Sequence, residues 1–227
     1  MLVVAVDTSG RKGSIALCRG DLDTFELLQL TSLEGGTYSA QLMPRIAEAL
    51  RHNKLDKTQV DGFAVVSGPG SFTGLRVGLA TLKGLCEVLR KPLATVSMLQ
   101  AVALTHGRPD ATTTSLLDAG RGEIYVGEYQ VSAAGIANVV HEYIAKLDGF
   151  AAEGVGKLSN LLTPDSKVAE GLQAANIDVK LVPPIQADGI GRIGIRKLIT
   201  GENADPATID VNYIRRSDAE IFATPKH

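Results

Sequence analysis

Phe63-Ala64-Val65-Val66-Ser67-Gly68-Pro69-Gly70-Ser71-Phe72-Thr73-Gly74-Leu75-Arg76-Val77-Gly78 is the stretch on which the reading of this chain turns. Phe63 to Val66 is a short apolar run of the kind that forms a buried strand. Phe72 to Leu89 repeats apolar residues every three or four positions, long enough for a helix. Two readings of the turn between them stay open. In one, Gly68 and Gly70 let the main chain approach a partner, Ser71 caps the helix, and the N–H groups of its first turn face an anion. In the other, glycine serves only tight strand-to-helix packing. The spacing G-x-G-x-x-x-G is not the dinucleotide fingerprint, and no G-K-[ST] follows as in a phosphate loop. Nor is it a nucleophile elbow, because Pro69 and Thr73 stand where that motif has glycines.

The helix carries two apolar seams. Phe72, Leu75, Leu79, Leu82, Cys86 and Leu89 form one, and Gly74, Gly78, Thr81, Leu85 and Val88 the other. One seam suffices for a surface helix, so two predict burial or a second partner. Each glycine inside a helix costs about 1 kcal/mol against Ala, which another backbone passing close by would explain.

Four segments carry a family resemblance. Ser67 to Gly78 is similar to the signature of the bacterial TsaB (YeaZ) family, within the actin-like, sugar-kinase-like ATPase superfamily. Val4-Ala5-Val6-Asp7-Thr8-Ser9 resembles that family's first strand and turn. Asp118-Ala119-Gly120-Arg121-Gly122-Glu123-Ile124-Tyr125 resembles its Asp-Ala-Arg-x-Gly-Glu-Val-Tyr segment, and Asn212-Tyr213-Ile214-Arg215 its C-terminal Tyr-Leu-Arg. Gly120 stands where the family usually has Arg, and Tyr38 where it usually has His.

The resemblance implies an α/β fold of two ribonuclease-H-like lobes, mixed sheets flanked by helices. It also implies a non-catalytic scaffold in the assembly that forms N6-threonylcarbamoyladenosine at position 37 of tRNA. The implied partners are a TsaD-like catalytic paralogue and a TsaE-like ATPase, with tRNA engaged indirectly. Free of its partner such a chain has an apolar face to hide, so a homodimer is expected when it is alone. Docking is expected through the helix at 72–89 and one at 39–51, at Leu42, Ile46, Gly74, Leu75, Arg76, Gly78, Thr81, Leu82 and Leu85. Asp7, Thr8, Gly68, Gly70, Ser71 and Thr73 fit the position where superfamily ATPases hold phosphate and metal; the resemblance implies a vestigial pocket there, with ATP or ADP left to the assembled complex. A competing reading is an active ATPase or phosphotransferase using Asp7, Thr8, Gly70 and Ser71. A glycoprotease-type peptidase is a weaker one.

Composition bounds these readings. The chain has 227 residues, 44% hydrophobic and 21% charged, enough for one large or two small globular domains. The net charge of −2 gives no basic surface for strong tRNA binding by this chain alone. No apolar run reaches eighteen residues and no signal peptide is read, so the expected place is the cytoplasm, off the membrane. Cys18 and Cys86 are expected as buried, reduced thiols. The histidines, at 52, 106, 141 and 227, show no ligand spacing, and the His-x-x-x-His pair of TsaD-like paralogues is missing, so no metal is expected. Asp118 and Glu123 flank a hairpin turn, either as paired carboxylates or as the charged ends of a solvated loop.

In order, strands are expected at 1–6, 14–18, 25–30, 63–66 and 93–96, with helices at 39–51, 72–89 and 97–106. Pro44 is expected in the first turn of its helix or at a kink. Gly107-Arg108-Pro109-Asp110 marks a boundary. It divides the chain into a lobe at 1–107, with 205–227 a candidate to return to it, and a lobe at 108–204. The second lobe is expected to hold strands at 112–117, 123–130, 136–144, 167–169 and 180–182, with helices at 172–176 and 189–199. Residues 205–216 read as extended and 217–227 as a mobile polar tail. No internal repeat is visible by identity.

Overall fold

The computed structural model describes residues 1–153, 158–205, 208, 209 and 214. The chain divides into two compact units, Met1–Ala101 with the segment from Pro184, and Val102–Pro183.

In the first unit β1 (Leu2–Asp7), β2 (Lys12–Gly20), β3 (Phe25–Glu34), β4 (Gly62–Gly68) and β5 (Leu93–Ser97) form one sheet in the order β3-β2-β1-β4-β5. β1–β2 and β2–β3 are antiparallel, and β1–β4 and β4–β5 parallel. The run Val3-Val4-Ala5-Val6 is buried on both sides, as expected for a central strand that carries helices on both faces. Alternation assigns the faces. Ala5, Ala16, Ala64 and Ala94 share one face by register. The helix α6 (Ala187–Thr200) lies on it, with Gly194 against Ala64 and Gly191 so close that a Cβ there would come 2.6 Å from Cys18 Sγ. Small residues on both partners set this close approach. Val4, Val6 and Val65 fill the opposite face, where α1 (Tyr38–His52) and α2 (Phe72–Leu89) pack.

The second unit repeats the topology. β6 (Ala111–Gly120), β7 (Glu123–Val131), β8 (Ala137–Lys146), β9 (Leu161–Thr163) and β10 (Lys180–Leu181) take the order β10-β9-β6-β7-β8. Counted from its first strand, each sheet reads 3-2-1-4-5, two antiparallel strands on one side and two parallel strands on the other. This is the two-lobed, helix-flanked mixed-sheet arrangement that the resemblance implied. Leu116, Ile124, Val126, Phe150, Leu161 and Leu172 anchor the core, closed by α4 (Leu147–Glu153) and α5 (Ser166–Ala174). Arg121 and Gly122 both take positive φ, 57° and 75°, as a two-residue hairpin turn between right-twisted strands requires.

Several expectations are corrected. The division falls inside α3 (Met98–His106), after Ala101, and not at 107. Residues 184–204 belong with the first unit, because α6 buries its apolar face on sheet one. The strand expected at 167–169 is the start of α5; Val168, Ala169 and Leu172 recur at helical spacing, and the strand before it is β9. Pro44 sits well inside α1, beyond its first turn. α4 carries no strong sequence signal. The extended stretch and mobile tail expected over 205–227 lie outside the described residues except at 205, 208, 209 and 214.

Candidate functional site

Three segments meet at the carboxyl end of β1. The turn after β1 brings Asp7, Thr8 and Ser9; β4 delivers Gly68 to Ser71; α1 brings Tyr38. Parallel pairing of β1 with β4 places the first two side by side. Gly68 has φ +135°, a region closed to L side chains, and its peptide bond to Pro69 is cis.

The glycine turn is closed by the chain's own first turn. Ser71 N–H donates to the Ser9 carbonyl at 2.6 Å. A Cβ at Gly70 would come 2.6 Å from that same oxygen. Ser71 Oγ caps α2 by accepting from Gly74 N–H at 3.3 Å, and Thr8 Oγ1 donates to the Gly74 carbonyl at 2.8 Å. A side chain at Gly74 would collide with the Thr8 carbonyl, and one at Gly78 with Thr8 Oγ1. The backbone that passes close to these helical glycines is therefore β1's own extension. Of the two readings of the turn, the geometry matches packing. Two amides a phosphate would need, those of Ser71 and Gly74, already have acceptors, so the turn does not fit a nucleotide phosphate as it stands.

Asp7 is buried, and Ser9 N–H and Ser9 Oγ–H donate to its Oδ1 at 2.8 and 2.6 Å. Burial raises its pKa, against the two Ser9 bonds, which lower it. Tyr38 closes the other side. Its hydroxyl donates to the Gly10 carbonyl at 2.8 Å, and its ring lies where a Cβ at Gly13 would come 2.8 Å from Cε1. Burial, then the charges of Asp7 and Glu34, push the Tyr38 phenol up. The residue that departs from the family pattern thus pins the first hairpin.

Thr73 is exposed on the first turn of α2, and Gly68 and Thr8 are buried. Of the expected docking residues, Leu42, Ile46, Gly74, Leu75, Gly78 and Leu82 are buried within the first unit. They hold α1 and α2 to each other and to the sheet, which removes them from any docking surface. Arg76 is exposed and Thr81 and Leu85 half-buried. Sequence reasoning missed the outward stripe of α2: Phe72, Arg76, Ala80, Gly84 and Val88, spaced by four and exposed. The Arg76 guanidinium lies 3.7 Å from the centre of the Phe72 ring. Among the described residues, nothing beyond the helix's own backbone and Gly84's chain neighbours lies within 4 Å of where a Cβ at Gly84 would be. Spacing by four was the available signal; the two glycines, buried here, drew the reading to the inward seam.

Chemistry is sparse elsewhere. Burial pushes the Cys18 and Cys86 thiols up to about 12, which keeps them protonated and poor nucleophiles. Among the described residues, no group of three or more His, Cys, Asp or Glu could hold a metal ion. Asp118 pairs with its own turn, its Oδ1 accepting from Gly120 N–H at 2.7 Å, and its backbone N–H donates to Asp165 Oδ2 at 2.8 Å. That is turn structure. Among the described residues, no helix is long and apolar enough to cross a membrane.

Comparison with known proteins agrees in sequence and in fold. The model of the family described as TsaD, tRNA N6-adenosine threonylcarbamoyltransferase, matches residues 35–184. The Escherichia coli (strain K12) protein named tRNA threonylcarbamoyladenosine biosynthesis protein TsaB is 28% identical over 236 residues, 93% of this chain and 96% of that one. The Bacillus subtilis (strain 168) protein of the same name is 32% identical over 140 residues, 62% of this chain and 60% of that relative. That second alignment therefore spans less than two thirds of its relative. In structure, YeaZ from Pseudomonas aeruginosa superimposes with a TM-score of 0.72 over 93% of this chain and 99% of that one, at 20% identity, a likeness of fold.

Proposed function

We propose, from the premise that this chain belongs to the TsaB (YeaZ) family within the group described by the TsaD model, that it is a non-catalytic subunit of the assembly that forms N6-threonylcarbamoyladenosine at position 37 of tRNA. Its partner in this reading is a TsaD-like catalytic paralogue, joined by a TsaE-like ATPase, in the cytoplasm. The observation that carries the non-catalytic part is the closed glycine turn. The Ser9 carbonyl and Ser71 Oγ take up the Ser71 and Gly74 N–H groups that a phosphate cradle would present. The chain then contributes binding free energy that favours the competent arrangement of its partner, and no acid, base or nucleophile.

The docking surface in this reading is the outward stripe of α2, with Met43 of α1 beside it. Val88 is 77% exposed and Met43 47%. Gly84 supports the choice. A glycine in mid-helix costs about 1 kcal/mol, and among the described residues nothing packed against the helix requires one at that position. A partner helix approaching closely does. When the partner is absent, a second copy covers the same stripe as a homodimer.

The test uses the purified full chain. Val88→Glu and Gly84→Arg are expected to abolish co-purification with the paralogue while leaving thermal unfolding unchanged. Gly84→Ala is expected to stabilise the free chain by about 1 kcal/mol. Undiminished co-purification of both charged variants places docking elsewhere. Calorimetry with magnesium and ATP separates the ATPase reading: saturable heat that disappears in Asp7→Ala supports that reading over the scaffold.

A further inference from the structure

A cavity of ≈ 640 Å³ lies within Val102–Pro183. It opens where β9 and β10 begin, beside the end of α3, at the end of the sheet opposite Asp118 and Asp165. Leu161 and Leu162 form its apolar wall; His106, Arg108, Asp178 and Lys180 supply its charged and titratable groups. Its volume falls in the range of about 300–1,000 Å³ typical of small-molecule sites.

The charge in this cavity runs against that of the chain. Net charge overall is −2, yet the lining sets Arg108 and Lys180 against one carboxylate, Asp178. Among the described residues neither Arg108 nor Lys180 makes an ion pair. Lys180 lies close enough to His106 to lower its pKa, adding to the larger effect of burial. His106 Nε2 sits 3.1 Å from the Pro183 carbonyl. A carbonyl only accepts, so Nε2 carries the hydrogen and Nδ1 is the nitrogen that titrates. Gly107 sets the wall between them: a Cβ there would come 2.8 Å from Thr113 Oγ1, a fully buried hydroxyl with no hydrogen-bond partner among the described residues. Cations that outnumber the single carboxylate on a concave wall focus a positive field into the cavity. The group that relieves this arrangement is an anion with several acceptor oxygens.

We propose that this cavity binds a small molecule carrying an oxyanion group, phosphate or carboxylate, held by Arg108 and Lys180, with Asp178 selecting ligands that also carry a hydrogen-bond donor.

The experiment follows the His106 ring by nuclear magnetic resonance in the full chain, its signal assigned with His106→Gln. The probes are inorganic phosphate, acetate and adenosine monophosphate. The expected result is a saturable shift of His106, with His52 and His141 unmoved. Saturation by phosphate alone assigns the oxyanion as phosphate, and by acetate alone as carboxylate. Tighter binding of adenosine monophosphate than of phosphate places the nucleoside in the cavity. Arg108→Ala and Lys180→Ala are each expected to weaken binding about ten-fold, and Asp178→Asn to tighten phosphate. Arg108 and Lys180 are exposed, so unfolding temperatures are expected to stay unchanged. No saturable shift with any probe, or equal affinity in parent and both cation variants, overturns the proposal.

Discussion

Asp7 ends β1 with its carboxylate inside the protein, 5% exposed, and Ser9 supplies both of its hydrogen-bond donors. Burial disfavours the charge more than Ser9 favours it, so the folded pKa lies above the ordinary 3.8. Between those two values the folded chain keeps a proton that the unfolded chain releases. Stability therefore falls as pH rises through that window, and the full penalty persists above it. Asp7→Asn keeps an acceptor for Ser9 and removes the charge. It is expected to be more stable than the parent at pH 7 and to lose the downward slope. Urea unfolding between pH 4 and pH 7 reads this directly; parallel curves for parent and variant would refute it. The sequence marked Asp7 as either a phosphate-facing acid or a turn cap. Only burial and the Ser9 bonds distinguish the two, because both depend on what β4 and α1 bring against it.

Helices show the same division at the next scale. The periodicity of α2 was plain in the sequence, and so was its role as the element after the glycine turn. Which of its two seams faces inward was not, since both carry apolar residues. The sheet decides: Gly74 and Gly78 meet Thr8, and Ala80, Gly84 and Val88 are left outward. In α6, Gly191 and Gly194 read as defects in a helix, yet they are where it touches the alanine face of the sheet. A Cβ at Gly194 would overlap Ala64 Cβ. Gly194→Ala is thus expected to destabilise by about 1–3 kcal/mol despite its better helix propensity. Ala64→Gly on the same chain should recover part of that loss. A double-mutant cycle in urea measures the coupling; additive losses would mean the two positions do not share one contact.

The molecule as a whole is two copies of one topology, each sheet ordered 3-2-1-4-5 from its first strand, without matching residues at equivalent positions. Segment 184–200 crosses back to the first unit and covers Ala5, Ala16, Ala64 and Ala94. A fragment of residues 1–107 leaves that face bare and is expected to show no cooperative unfolding. Residues 1–101 joined to 184–227 by a flexible linker are expected to unfold cooperatively. Circular dichroism in urea distinguishes them, and a cooperative transition in the 1–107 fragment would show α6 to be dispensable. By itself the sequence determined the family, the strand–turn–helix around Ser67 to Gly78, the succession of strands along the first half and the absence of a strongly basic composition. These follow from local periodicity and from a long motif, which survive without neighbours. Only the tertiary structure decided where the chain divides, which face of α2 looks outward, and that the glycine turn is filled by Thr8 and Ser9. Each of those depends on residues far apart in the chain meeting across a sheet, and no window of sequence contains both partners of such a contact.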